Sequence, residues 1–163
     1  MRAAAYGTFY RLPGRLRRRL VRVVVPKYVV GAVTLVRDSE AAEPGRLLLL
    51  RQPPGHGWGL PAGLLHRAEP PVVGAARELA EESGVTLHPD RLSPAVPNAV
   101  VHPQGWVDVV FTASVPASTT RLVADGAEVL EAAWWPLDAL PRLTRAAAHL
   151  LGVYGIGPEG APR

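Results

Sequence analysis

Residues 63–85 read GLLHRAEPPVVGAARELAEESGV, and the rest of the chain is interpreted outward from them. Residues 70–83 are expected to form a helix. Pro70 sits in its first turn and Gly84 just past its end, the places these residues favour. Glu78, Glu81 and Glu82 stand at i, i+3 and i+4. At about 100° per residue they fall within roughly one 100° arc. The opposite side carries Val72, Ala75, Ala76, Leu79 and Ala80, an apolar face able to pack on a sheet. Its small residues allow a close approach.

Three like charges on one helix face repel, and each i,i+4 pair costs a few tenths of a kcal/mol. A divalent cation removes the conflict. Mg²⁺ is hard, prefers oxygen, and typically combines a few carboxylates with substrate phosphates. Arg77 stands among the acids and can pair with Glu81 at i+4 or with Glu69 at the helix start, fixing a carboxylate's orientation. Glu69 is also well placed against the helix macrodipole. Gly63 lies in a tight loop whose carbonyls can reach the same cation.

On either side of this stretch the pattern alternates between strand and helix. Residues 28–37 (YVVGAVTLVR) and 46–52 (RLLLLRQ) read as paired strands. Residues 53–63 form a Gly/Pro-rich loop. Residues 95–102 and 106–115 read as a strand pair, 127–135 as a further strand, and 138–151 as a closing helix. Such an alternation predicts one mixed α/β domain over 28–152. The Gly/Pro-rich residues 153–163 are expected to be a loose tail.

The net charge of +4 conceals an asymmetry. Residues 1–37 hold nine of the eighteen Lys/Arg and no acid, and the remainder carries a net −5. Residues 11–24 set Leu12, Leu16, Leu20 and Val23 on one stripe among arginines, a short helix expected to pack on the domain through its leucines. A dimer contact and an anionic-polymer patch are the other readings of this arm (1–27). Lys27 is the only lysine, which with the abundant Ala fits coding bias in a GC-rich bacterial genome. Cysteine is absent, which excludes disulfides and thiolate metal sites. No apolar run is long enough to span a bilayer, and no secretory h-region is present. A cytoplasmic location is therefore expected, with neither membrane nor nucleic acid as partner.

Gly63, Glu69, Arg77, Glu78, Leu79, Glu81, Glu82, Gly84 and Val85 resemble the box of the Nudix hydrolase family, MutT-like and bacterial in type, at every position. Seven of these demand a single residue type, so chance agreement is on the order of 10⁻⁸ to 10⁻⁹ per starting position. The likeness extends from residue 28 to about 150, taking in Trp58-Gly59-Leu60-Pro61 and Trp134-Trp135-Pro136. Ala62 and Ala68 stand where Gly is frequent in similar proteins. The resemblance implies an α/β/α sandwich with a mixed sheet and the box as loop–helix–loop. It also implies Mg²⁺-dependent attack of water on phosphorus (Mn²⁺ a substitute), cleaving a nucleoside diphosphate linked to X. Carried over by position, Glu78, Glu81 and Glu82 with Gly63 hold the metal, Glu69 supports them, and Arg77 orients them.

Glu81 and Glu78 are the candidate general bases, together with an acid outside the box: Asp108, Glu128 or Glu131, with Glu131 favoured. Arg51 and Trp58 are candidate substrate contacts, although Arg51 reads equally as an ordinary surface arginine and Trp58 reads more readily as a structural plug or loop anchor. Of Trp134 and Trp135, one is expected in the core and the other beside the cleft. His56 could touch phosphate. His66, His88, His102 and His149 read as incidental or internally satisfied. Two alternatives stand beside hydrolysis of a small nucleotide: a non-catalytic nucleotide-sensing module, and an RNA 5′-end pyrophosphohydrolase. A homodimer is compatible with all three, and no subfamily hallmark selects a substrate.

Overall fold

Strand β1 (Val29–Asp38), rich in β-branched residues, is the axis of the sheet. The computed structural model describes residues 10–25, 27–53, 57–124 and 126–157, so His56 lies outside the described residues. On one edge β1 pairs in parallel with β6 (Trp106–Val115), which pairs antiparallel with β5 (Ser93–Val101). The other edge is shared. β2 (Arg46–Arg51) joins it at Arg37↔Leu47, and β4 (Ala62–Leu64) takes Gly31 to Val33. The short β3 (Trp58–Gly59) and the longer β7 (Glu131–Pro136) both add to β2.

Alternation along the strands divides the core in two. Val33, Leu35, Leu47 and Leu49 face helix α3 (Arg145–Val153), whose Leu150 and Leu151 join them. Ala32, Val36, Leu48 and Leu50 face helix α2 (Pro71–Ser83), which presents Ala75, Ala76 and Leu79. The result is the expected α/β/α sandwich with a mixed sheet. Leu47 through Leu50 are fully buried, each contributing roughly 2 kcal/mol from removed apolar surface. Helix α2 ends at Gly84, whose φ of 75° is the left-handed cap that closes the ladder onto the Ala80 carbonyl.

Several expectations are corrected. The closing helix starts at Arg145 and not at 138. Residues before it are engaged by β3: Trp58 N–H donates to the Arg142 carbonyl and Thr144 N–H to that of Trp58. Pro141 withholds a helical donor, and Thr144 then caps the helix, accepting from Ala147 N at 3.2 Å. Strand β7 starts at Glu131, four residues later than expected. The tail is not loose throughout, because Ile156 is buried in the core and the Tyr154 hydroxyl donates to the Pro97 carbonyl at 2.6 Å. Trp134 and Trp135 are both partly buried against the core, Trp134 on the α2 side and Trp135 on the α3 side.

Residues Gly14–Val24 form helix α1, as the leucine stripe predicts. The stripe is not packed on the domain, however: Leu16, Leu20 and Val23 are all exposed.

Ala68 carries a φ of 63° in the loop before α2. A β-carbon there costs about 1–2 kcal/mol, against about 0.4–1 kcal/mol of extra unfolded-state entropy for glycine. Ala68→Gly is therefore expected to raise the unfolding free energy by about 0.5–1 kcal/mol, read from a higher urea midpoint at unchanged slope. A lower midpoint would show that the alanine is unstrained.

Candidate functional site

Arg77 projects from α2 into the loop that precedes it, and every one of its N–H donors is used. Nε donates to Glu69 Oε1 at 3.0 Å, and Nη2 donates to Glu69 Oε2 and to the Leu64 carbonyl, both at 3.1 Å. Nη1 donates to Glu78 Oε1 at 2.7 Å and to Glu81 Oε2 at 3.0 Å. A guanidinium has five donors in a rigid fork, and here all five fix the loop and three carboxylates at once. Glu69 also accepts from the His66 N–H at 2.9 Å. Arg77 together with that N–H holds the Glu69 carboxyl down at about 2.

Glu78 leans across to β4. A β-carbon added at Gly63 would stand 2.0 Å from its carboxylate, so only glycine leaves that carboxylate its seat. Glu82 is almost fully buried, accepting from Ala62 N–H at 2.8 Å and from Gln52 Nε2 at 2.7 Å. Burial pushes its carboxyl up to about 7 against those two hydrogen bonds, and the charges of Glu78 and Glu128 push the same way. Glu81, with its side chain 58% exposed, is the open member of the set.

Among the described residues no three acidic or imidazole groups converge on one point as a ready cation site. The cause is visible: Glu78 and Glu81 lean on Arg77, and Glu82 on Ala62 and Gln52. The donor set nevertheless fits a divalent cation. A buried carboxylate disfavoured by its acidic neighbours is the group such a charge stabilises, and all the oxygens are hard donors.

The other predicted residues divide. Arg51 and Glu131 come together as an exposed cross-strand ion pair at 2.8 Å, so each is engaged by the other. Glu131, the favoured outside acid, thus faces Arg51, whereas Glu128 is the acid whose charge reaches Glu82. Trp58 is buried with its edge on Trp135, ring centroids 5.2 Å apart, which makes it a core plug and not a stacking platform. His66 is exposed beside Glu69.

A cleft of about 140 Å³ opens on the α3 side of the sheet, lined by Val33, Gln52, Leu60, Ala62, Asp108 and Thr144 among others. Asp108 accepts from or shares a proton with the buried His102, Nε2 to Oδ2, at 2.8 Å. Burial raises the Asp108 carboxyl, and His102 opposes the rise. Its other oxygen, Oδ1, crowds Gly31 from the same side as the Gly63 carbonyl, so the cleft reaches the start of the loop–helix. Gln52 touches both the cleft and Glu82. Neither Gln52 nor the His102–Asp108 partnership was predicted. Their spacing in sequence is arbitrary, and only the sheet register unites them.

The NUDIX domain family model matches residues 26–153. A MutT-like protein of Streptomyces ambofaciens is 33% identical over 87 residues, covering 53% of this chain and 54% of that protein. The human 8-oxo-dGDP phosphatase NUDT18 is 32% identical over 140 residues, 82% of this chain but 38% of its own length. The chain thus spans about half or less of these two relatives. A MutT NUDIX hydrolase structure from Burkholderia pseudomallei superposes with a TM-score of 0.59 at 26% identity, covering 74% of this chain and 93% of that one. The NUDIX domain of Shewanella oneidensis NrtR, complexed with ADP ribose, gives 0.61 at 20% identity, covering 81% and 88%, a likeness of fold.

Glu82 ties the site to stability. Its folded pKa lies above the unfolded 4.5, so the folded state holds the proton more tightly. Metal-free protein is most favoured below about pH 4.5 by this group and loses the contribution as pH rises through 7, about 3 kcal/mol in all. Chemical denaturation of the metal-free protein from pH 4.5 to 8 should show this loss in the wild type and not in Glu82→Gln. Parallel profiles would mean that Glu82 titrates normally.

Proposed function

The chain belongs to the Nudix family, and from that premise we propose that it is a divalent-metal-dependent hydrolase cutting the diphosphate linkage of a nucleoside diphosphate joined to a group X. One observation carries this reading. Arg77 gathers Glu69, Glu78 and Glu81 while Glu82 lies buried beside them, at the end of an open cleft. Packing alone gives no reason to collect three acids around one arginine with a fourth buried beside them.

Glu78, Glu81 and Glu82, with the Gly63 carbonyl, are the groups that would hold Mg²⁺, or Mn²⁺ in its place. The ion supplies charge neutralisation on the diphosphate and lowers the pKa of the attacking water. The protein's own contribution is positional. Arg77 fixes Glu69, Glu78 and Glu81, and Ala62 N–H and Gln52 fix Glu82. Gln52 and Ala62 also border the cleft, so a diphosphate at the helix would lead the nucleoside or X into it. A space of about 140 Å³ is close to the cavity size that accepts a benzene ring, and Asp108 and Thr144 offer polar partners at its wall. Water forms a new bond to one phosphorus as the bridging P–O bond breaks, giving a nucleoside monophosphate and a phosphorylated X. Its proton passes to a carboxylate, and Glu81, the exposed member, is the first candidate, with Glu78 next.

One relative is an 8-oxo-dGDP phosphatase and one domain of the same fold is complexed with ADP ribose, so these two compounds head the test panel. Coupled phosphate release should be Mg²⁺-dependent, stop with EDTA, and single out one substrate class. Glu82→Gln should fall by about 100-fold or more, beyond the ~10–100-fold typical of changes around metal ligands. Gly63→Ala, which displaces Glu78, should fall comparably while keeping the wild-type circular dichroism spectrum. Near-normal turnover in Glu82→Gln would sink the proposal.

A further inference from the structure

Helix α1 (Gly14–Val24) lies outside the segment that the family model matches, so nothing in the hydrolase reading accounts for it. At 100° per residue, Leu16, Leu20, Val23 and Val24 fall within an arc of about 100°. Arg15, Arg18 and Arg19 lie on the opposite side, with Arg17 and Val21 between the two faces. The apolar row is exposed: Leu16 and Leu20 by 44% and 41%, Val23 and Val24 by 83% and 78%. Val25, Tyr28 and Val29 continue the exposed apolar surface toward β1. Residues 1–37 contain no acid to neutralise the arginines.

We propose that α1 is an interfacial helix that lays its leucine–valine row into the surface of an anionic membrane, with its arginines among the headgroups. Charge and apolarity together select this occupant. A second copy of the chain would bring two arginine-rich helices side by side and repel. An RNA would engage the arginines and leave the apolar row in water. An anionic lipid surface takes both, because arginine stems lie along the acyl boundary while their heads reach phosphate. The rest of the chain, carrying a net −5, is repelled by the same surface. The domain would therefore be held off the lipid by its own charge and attached through α1. No described helix is long and apolar enough to cross the bilayer, so the contact is peripheral.

The test uses the full chain and sedimentation with vesicles of phosphatidylcholine alone, or with about one-third phosphatidylglycerol. Wild type should partition onto the anionic vesicles only, and lose binding as salt is raised. Leu16→Gln/Leu20→Gln, which changes no charge, and Arg18→Gln/Arg19→Gln, which leaves the apolar row intact, should each weaken partitioning by about tenfold or more. Both should turn over a soluble nucleotide at the wild-type rate if the hydrolase reading holds. A failure of that reading would leave the vesicle result standing, and the reverse. Three outcomes overturn the proposal: no binding to anionic vesicles at low salt; equal binding by the leucine variant; or binding to polyuridylate RNA without vesicle binding. A leucine-dependent dimer in sedimentation equilibrium, with no lipid binding, would assign the row to a second copy instead.

Discussion

The candidate site depends on a single guanidinium. Arg77 donates to the loop backbone at Leu64 and to Glu69, Glu78 and Glu81. A lysine at this position would carry the charge with three donors and no plane, and could not hold a loop and a helix in one orientation. The consequence is structural as much as electrostatic. The segment from Gly63 to Leu65 is held to β1, and beyond it Arg77 ties the loop down through the Leu64 carbonyl and the Glu69 carboxylate. Charges that would repel along one helix face are thereby divided between a cationic partner and, for Glu82, a neutral pocket made by Ala62 and Gln52.

The sheet supplies the other half of the arrangement. β1 shares one edge between β2 and β4, so the strand that begins the loop is hydrogen-bonded directly to the central strand. Leu79 anchors the far side of α2 in the core, and Thr34 N–H donates to Pro61 just ahead of β4. Gly63 and Glu78 therefore face each other from two elements that are each tied to the same strand. The cleft uses the opposite side of that sheet, and Gln52, just past the end of β2, and Ala62, on β4, touch both the cleft and Glu82.

The pattern of single-residue demands in 63–85 made the helix, its limits and its acids legible, because spacing along one helix converts directly to position. Strands β1, β2, β5 and β6 were legible for a similar reason: stretches rich in Val or Leu and bounded by turn residues say where a strand is. What failed was tertiary. Residues 138–144 carry a helical pattern, yet β3 claims the backbone of Arg142 and Thr144. Glu131 looked available until β2 placed Arg51 opposite it. The leucines of α1 looked like a packing surface because a stripe states only that a partner is wanted, not which one.

Gly63 and Glu78 have a consequence for how such a chain can change. The absent side chain of one is the room occupied by the carboxylate of the other, with 2.0 Å between that carboxylate and the missing carbon. Neither position can be explored alone. A larger residue at 63 evicts Glu78, because the three atoms nearest to a β-carbon there all belong to that carboxylate. The two sites are thus epistatic, and a descendant that had lost the acid would be released from this constraint at the glycine. Paired replacement at these two positions would be the sequence trace of a lineage that had kept the fold and left the chemistry behind.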